Sequence, residues 1–229
     1  MKDGARGGLT RRALVVGAPV AMGGWVEATA VGARAAAVGA AGARASATAL
    51  AGGSLLAASA QAGPAEVEAL LRRGGVVIAF RHARAPGTFD PPGMRLDDCR
   101  TQRNLDDDGR AQARRIGRWF SDRGLKPARV RSSPWCRCVD TATLAFGAPQ
   151  VWAALSSPVG QGESTTRESV AALRQALAAA VRQPGRFEAW VTHMFVLSAL
   201  TGEPSDSGEG LVLGSAADGS PRVLARLMA

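Results

Sequence analysis

The sequence has few histidines and cysteines, the residues that most often bind zinc. It contains two histidines, His82 and His193, and three cysteines, Cys99, Cys136 and Cys138. A single residue separates Cys136 from Cys138, which is closer than the usual CxxC spacing of zinc and redox sites, and no further cysteine completes a four-ligand set. We therefore predict that the protein has no metal centre and needs no cofactor.

The sequence also lacks a long apolar run and a cluster of basic residues. No stretch reaches the ~20 consecutive apolar residues that a transmembrane helix needs. The formal net charge is +9, but the arginines are scattered among acidic residues, without the basic runs and interleaved aromatics that are typical of nucleic-acid binders. These absences argue against a stable membrane span and against a nucleic-acid partner.

Residues 1–62 differ in composition from the rest of the chain. The paired arginines at 11–12 precede a short apolar run, as in a twin-arginine export signal. An Ala-rich stretch follows and ends in Ala60-Gln61-Ala62, a small-x-small pattern typical of signal cleavage. We expect an exported protein, periplasmic or secreted, with residues 63–229 as its folded domain. The alternative is a disordered Ala-rich extension of a cytoplasmic protein.

Export has a consequence for the cysteines. An exported protein folds in an oxidising compartment, where cysteines pair. We expect Cys99 to form a disulfide with either Cys136 or Cys138, which leaves one thiol free.

Apolar strands alternate with amphipathic helices throughout residues 63–229. We predict parallel strands near 76–81, 128–131, 151–152 and 189–192, and a closing hairpin or antiparallel edge at 209–213 and 222–227. We predict helices at 64–73, 106–123, 134–146 and 195–200, and one opened by the capping box Thr165-x-x-Glu168. This alternation predicts a three-layer α/β/α sandwich with a mostly parallel sheet.

Polar side chains follow three of the predicted strands. Arg81 and His82 end the first strand, Ser133 and Arg137 follow the second, and His193 follows the strand near 189–192. The carboxyl edge of such a sheet is where α/β proteins bind ligands. Two guanidiniums suit a phosphoryl group, and a histidine between them can attack phosphorus. A second histidine can donate to an equatorial oxygen, so that arginines and an imidazolium supply the positive charge.

These residues belong to motifs that resemble the histidine phosphatase superfamily, the phosphoglycerate-mutase-like proteins. Arg81-His82-Ala83 is similar to the R-H-G/A motif of that family, and residues 132–142 resemble its S-S-P-x-x-R-x-x-x-T-A motif. Residues 104–113 are similar to its N-L-x-x-x-G-x-x-Q-A stretch, and residues 191–193 resemble the strand that leads to its second catalytic histidine. The resemblance covers about residues 66–227.

The resemblance implies a fold, a reaction and a set of site residues. It implies a phosphoglycerate-mutase-like α/β fold and a metal-independent phosphomonoester hydrolase that forms a phosphohistidine on His82, with a phosphorylated small molecule or a phosphohistidine as substrate. It implies that the remaining residues of the phosphate pocket are Arg81, Arg137 and His193. Thr88 and Asn104 lie where the loops of the family approach the substrate, and we expect both to bind it.

The sequence departs from the family pattern at two points. Met194 follows the second histidine, where the family commonly has glycine, and we expect it to narrow the pocket or to alter the backbone around the phosphate. The general acid that protonates the leaving oxygen has no clear counterpart, and the candidates are Glu163 and Glu209. A missing acid favours good leaving groups, as in phosphohistidine or aryl phosphates. The alternative function is a non-catalytic phosphate- or anion-binding module of the same fold.

Overall fold

The computed structural model describes residues 63–159 and 162–229, so the predicted leader at 1–62 lies outside the described residues. No helix in the described ranges is both long and apolar enough to cross a membrane. In chain order the elements of the described part are α1 Pro64–Arg73, β1 Val76–Arg81, α2 Asp107–Ser121, β2 Arg129–Ser132, α3 Cys136–Phe146, β3 Gln150–Val151, α4 Glu163–Val181, β4 Phe187–Thr192, α5 Met194–Thr201, β5 Gly210–Ser215 and β6 Pro221–Leu227.

The six strands form one sheet in the order β3-β2-β4-β1-β5-β6. The first four strands of this order are parallel, and β5 and β6 add an antiparallel edge, as the sequence predicts. Arg81 of β1 pairs with Thr192 of β4. The residues that follow this pair, His82 and His193, therefore leave the sheet side by side at its carboxyl edge.

Both faces of the sheet are covered by helices, which confirms the three-layer sandwich. Alternate residues of β1 point to opposite faces, as the period of a strand requires. Ile78 and Phe80 are buried against α1, α2 and α3, whereas Val77 and Ala79 are buried against α4 and α5. The near-continuous apolar run of β1 follows from this burial on both faces.

Local chemistry sets where the elements begin. Asp106 caps α2, because its side chain accepts a hydrogen bond from the Gly109 N–H at 2.7 Å. Before β1, the backbone of Gly74 and Gly75 has φ of 70° and 66°, which side chains other than glycine rarely adopt. The predicted capping box at Thr165 is wrong. Helix α4 begins two residues earlier, and its N-cap, Gly162, makes no side-chain cap.

A disulfide joins Cys99 to Cys136, as expected for one of the two possible pairings. Cys99 lies in the loop between β1 and α2, and Cys136 is the first residue of α3. Cys138 is the free cysteine, and it is buried. The disulfide therefore ties the long loop after β1 to the start of the helix that carries Arg137.

Candidate active site

His82 follows β1 and is buried at the carboxyl edge of the sheet. Its Nδ1 lies 2.8 Å from the Ala83 carbonyl oxygen. A carbonyl oxygen can only accept, so Nδ1 carries the proton and donates, which leaves a lone pair on Nε2. The Nε of Arg137 donates to this nitrogen at 3.3 Å. The ring is therefore held in the tautomer that a nucleophilic Nε2 requires.

The surroundings of His82 favour its neutral form. Burial is the largest cause that lowers the pKa of His82, and the positive charges of Arg137, Arg103 and Arg81 act in the same direction. Against the opposing hydrogen bond to Ala83, the pKa falls to about 3. The imidazole is therefore neutral at neutral pH, and its Nε2, which accepts from Arg137, carries no proton.

His193 precedes α5 and lies beside His82, with the ring centroids 5.5 Å apart. Its Nε2 hydrogen-bonds with the Ser133 hydroxyl at 2.8 Å. Burial lowers the pKa of His193 well below its ordinary value, and the charges of neighbouring groups act in the same direction. The prediction that an imidazolium supplies positive charge is therefore not supported in this arrangement. That charge belongs to the guanidiniums.

Three guanidiniums, those of Arg81, Arg103 and Arg137, line the cavity in front of His82. Arg81 donates from Nη1 to the Ser205 carbonyl oxygen at 2.9 Å, and Arg103 donates from Nη1 to the carbonyl oxygen of Ala85. The Nε atoms of Arg81 and Arg103 are buried and have no protein partner. Buried donors of this kind are costly to leave unpaired, and an oxyanion satisfies them.

Arg103 is a site residue that the sequence analysis missed. It directly precedes the N-L-x-x-x-G-x-x-Q-A stretch, which is the signal that points to it. Nothing in the local pattern separates it from Arg95 and Arg100, whose side chains form surface ion pairs in the same loop. Only the folded loop shows that the Arg103 side chain faces the cavity.

Asp90 is a second residue that the sequence analysis missed. Its carboxylate accepts hydrogen bonds from both terminal nitrogens of Arg137 and from the Arg103 N–H. Burial raises the pKa of Asp90, but the hydrogen bonds from Arg103 and Arg137 outweigh it, so the net shift is downward. Among the described residues that line the cavity, Asp90 is the one carboxylate, and in this arrangement it is ionised and accepts hydrogen bonds.

The two predicted acids lie elsewhere. Glu209 is buried directly before β5, where it accepts from Arg226 at 3.0 Å and from the Asp206 N–H at 2.8 Å. Glu163 is exposed at the start of α4 and pairs with Arg167 at 2.6 Å. Neither carboxylate lines the cavity. The assignment of either as the general acid is corrected accordingly, because each is engaged in an ion pair outside the site.

The structure separates the two predicted substrate-binding residues. Thr88 is exposed and lines the cavity, as expected. Asn104 does not line it, because its amide nitrogen donates to the carbonyl oxygens of Cys99 and Gln102 and thereby shapes the loop. Met194 stands at the cavity wall, in the position where the sequence analysis expects it to narrow the pocket.

The cavity has a volume of about 540 Å³, which lies within the usual range for small-molecule sites. Its charged groups are those already described, and apolar side chains form much of the remaining wall. In residues 63–159 and 162–229, no group of three or more His, Cys, Asp or Glu side chains is arranged to hold a metal ion. The cavity therefore places three guanidiniums, which can bind an oxyanion, beside a neutral imidazole.

Comparison with known proteins gives the following similarities. No curated protein sequence matches the chain significantly. The protein histidine phosphatase SixA complexed with tungstate is 18% identical over 67% of this chain and 96% of its own, with a TM-score of 0.47. The putative phosphohistidine phosphatase SixA from Agrobacterium tumefaciens is 21% identical over 68% of this chain and 99% of its own, with a TM-score of 0.44. A phosphoserine phosphatase from Entamoeba histolytica is 12% identical over 66% and 95%, with a TM-score of 0.48.

A match to a family model covers most of the strand that leads to His82, the motif that contains Arg137, and the first half of β4. The model is that of the histidine phosphatase superfamily (branch 1), and it matches residues 78–189. The match ends shortly before His193, which the pairing of β1 with β4 places beside His82. Over residues 78–189 the chain therefore matches the histidine phosphatase superfamily.

Proposed function

We propose that the protein is a phosphomonoester hydrolase that works through a phosphohistidine on His82. One observation carries this proposal. His82 is buried in its neutral form, its Nε2 carries the lone pair, and the guanidinium nitrogen of Arg137 lies 3.3 Å from that atom. A nucleophile and a phosphate-binding group therefore meet at a single point.

The proposed reaction has two displacements. In the first, Nε2 of His82 forms a bond to phosphorus, the ester P–O bond breaks, and the leaving oxygen departs as an anion with the bonding electrons and then takes up a proton from water. In the second, water attacks the phosphohistidine, the P–N bond breaks, and inorganic phosphate leaves with the ring returned to its neutral form. Arg81, Arg103 and Arg137 supply fixed donors for the equatorial oxygens, where charge develops in the transition state.

The three guanidiniums supply the positive charge that phosphoryl transfer needs at this site. Asp90 offsets one of them, which leaves two net positive charges to face a phosphoryl dianion. We therefore propose that turnover needs no metal ion, and we expect it to continue in a chelator.

Turnover of an aryl phosphate by the full chain, measured with EDTA, tests the proposed function. We expect hydrolysis by the wild-type chain and none above background for His82→Gln, which nearly preserves the volume of the ring. The ion pair between Asp90 and Arg137 and the engagement of both predicted acids favour the alternative, a phosphate-binding module without turnover. Binding of inorganic phosphate without hydrolysis of aryl phosphate or phosphohistidine would establish that alternative instead.

We also propose that the protein is exported, as the segment at 1–62 predicts. The disulfide between Cys99 and Cys136 supports this proposal, because disulfides persist in oxidising compartments. Cell fractionation of the full chain tests it, with the arginine pair at 11–12 replaced by lysines as the comparison. We expect the wild-type chain outside the cytoplasm and the variant inside. A wild-type chain that stays in the cytoplasm contradicts export.

A further inference from the structure

The cavity in front of His82 is lined by more than half of the large apolar side chains that are exposed in the described residues. In that part of the chain, seven large apolar side chains are exposed, and four of the seven line this one cavity. Their exposed fractions are 71%, 53%, 37% and 44% for Phe89, Val159, Met194 and Phe195. Exposed apolar residues scattered singly need no explanation, whereas a group beside a charged pocket indicates a ligand.

These four side chains come from separate parts of the chain. Phe89 lies in the loop after β1, Val159 lies in the segment before α4, and Met194 and Phe195 begin α5. The group is therefore not the outer face of one amphipathic element. It is assembled by the fold around the mouth of the phosphate pocket, which the same side chains continue to line.

The cavity has three guanidiniums in front of His82 and an apolar wall, which the four exposed side chains form. This arrangement favours a ligand that has one charged part and one apolar part. The phosphoryl group meets the guanidiniums, and the group esterified to it meets the apolar wall. A sugar or polyol at that position loses hydrogen bonds to water and finds carbon in their place, which is costly. An apolar group gains by burial at roughly 25 cal/mol per Å².

The groups around the leaving oxygen restrict the ligand further. Asp90, the one carboxylate among the described lining residues, accepts two hydrogen bonds from Arg137 and has no proton to give. Without a carboxylic acid to protonate it, a leaving group departs as an anion, and a phenolate does so more easily than an alkoxide. Two of the four wall residues, Phe89 and Phe195, are aromatic and pack favourably against another ring.

We propose that the substrate is an aryl phosphate, a phosphomonoester of an apolar aromatic alcohol, with its ring against Phe89 and Phe195. This inference rests on the proposed phosphatase function and narrows it to one substrate class. The wall at Phe89, Val159, Met194 and Phe195 contributes to KM, and the acidity of the phenol replaces the missing general acid.

Three substrates test the inference with the full chain. Phenyl phosphate and 2-naphthyl phosphate have leaving groups of similar acidity but different apolar area, and glycerol 2-phosphate has a polar, poor leaving group. We expect kcat/KM for 2-naphthyl phosphate to exceed that for phenyl phosphate by roughly three- to tenfold through KM. We expect glycerol 2-phosphate to be the poorest of the three.

Variants of the apolar wall show which residues produce the preference for naphthyl over phenyl phosphate. Phe89→Ser and Phe195→Ser are expected to bring the ratio of naphthyl to phenyl kcat/KM close to one, while inhibition by inorganic phosphate is unchanged. Met228→Ser is the matched control, because Met228 is also an exposed apolar side chain but lies outside the cavity. We expect this control to keep the wild-type ratio, and the melting temperature confirms that each variant is folded.

The outcomes distinguish the proposed aryl phosphate substrate from the proposed phosphatase function. If the aryl phosphates are hydrolysed at equal rates, if glycerol 2-phosphate is preferred, or if the ratio survives both phenylalanine variants, the substrate inference is wrong and the phosphatase function stands. If none of the three substrates is hydrolysed, the phosphatase function fails and the inference falls with it.

Discussion

Asp90 holds Arg137 by both of its terminal nitrogens, with Nη1 donating to Oδ1 at 2.8 Å and Nη2 donating to Oδ2 at 3.1 Å. This is the bidentate geometry in which a guanidinium also binds a phosphoryl group. Asp90 lies in the loop after β1, and Arg137 is the second residue of α3. The ion pair therefore joins the loop over the cavity to the helix that carries Arg137.

The charge of Asp90 competes with that of a bound phosphate. We expect Asp90→Asn to lower the inhibition constant for inorganic phosphate by roughly three- to tenfold, because one negative charge leaves the pocket. We expect kcat to fall in the same variant, because Arg137 is no longer fixed. Asp97→Asn is the control, since Asp97 is an exposed carboxylate of the same loop. Weaker phosphate binding by Asp90→Asn would show that Asp90 only orients Arg137.

Arg103 is expected to bind the phosphoryl group together with Arg81 and Arg137. Its Nε is buried without a protein partner, and the guanidinium lines the cavity. We expect Arg103→Met to weaken inhibition by phosphate at least tenfold, which is the usual cost of a lost charge-assisted hydrogen bond of about 1.5–3 kcal/mol. Arg100→Met, in an exposed ion pair of the same loop, is expected to have no effect. Equal effects of the two variants would remove Arg103 from the site.

The disulfide between Cys99 and Cys136 is expected to stabilise the fold. Its loop spans 37 residues of sequence, for which the chain-entropy relation gives about 4 kcal/mol. We expect reductant to lower the free energy of unfolding by an amount of that order, measured by urea denaturation. Cys99→Ser with Cys136→Ser is expected to reproduce the loss without reductant. An unchanged unfolding midpoint in reductant contradicts this prediction.

Thiol counting checks the pairing itself. Burial raises the pKa of the Cys138 thiol to about 12, so this thiol is both covered and protonated at neutral pH. We expect no reactive thiol in the folded chain, one after denaturation without reductant, and three after denaturation with reductant. Three reactive thiols without reductant would reject the disulfide.

The buried histidines are expected to make the fold sensitive to acid. The pKa of His82 is about 3 in the folded chain, against about 6.5 when unfolded, and that of His193 is lowered in the same direction. Below pH 6.5 the unfolded chain takes up protons that the folded chain does not. The contribution of the two neutral histidines to the free energy of unfolding is therefore fully present above pH 6.5. It is lost as the pH falls toward 3, by up to about 1.4 kcal/mol per pH unit for each histidine.

Urea denaturation between pH 7 and pH 5.5 measures this effect. We expect the free energy of unfolding to fall across that interval in the wild-type chain, and to fall less steeply in His193→Gln. This pH range lies above the ordinary pKa of the carboxylates, so the histidines dominate it. A wild-type stability that is constant from pH 7 to pH 5.5 contradicts the lowered pKa values.

The sequence predicts the parts of this protein that depend on periodic patterns. The apolar run before Arg81 and the helical spacing after Asp106 are local signals, and β1 and α2 follow from them. The convergence of His82 and His193 follows from the rule that parallel strands end at the same edge of a sheet. The register that pairs Arg81 with Thr192 turns this rule into contact between the two histidines.

The remaining site residues depend on contacts that no local pattern encodes. Asp90 and Arg137 are 47 residues apart in sequence, and a proline- and glycine-rich loop carries the first of them. Glu209 has the residue type of a general acid, but it meets Arg226, which lies on the neighbouring strand. The partner of a charged side chain is decided by tertiary packing, and this is where prediction from the sequence fails.

The central claim is that the phosphoryl group is carried by His82. Rapid quenching of the full chain with a labelled aryl phosphate in EDTA tests it most directly. We predict a label that is stable to base, labile to acid, and located on the peptide that contains His82, with no label on His82→Gln. Turnover without a labelled intermediate, or a label that persists in His82→Gln, would contradict this account.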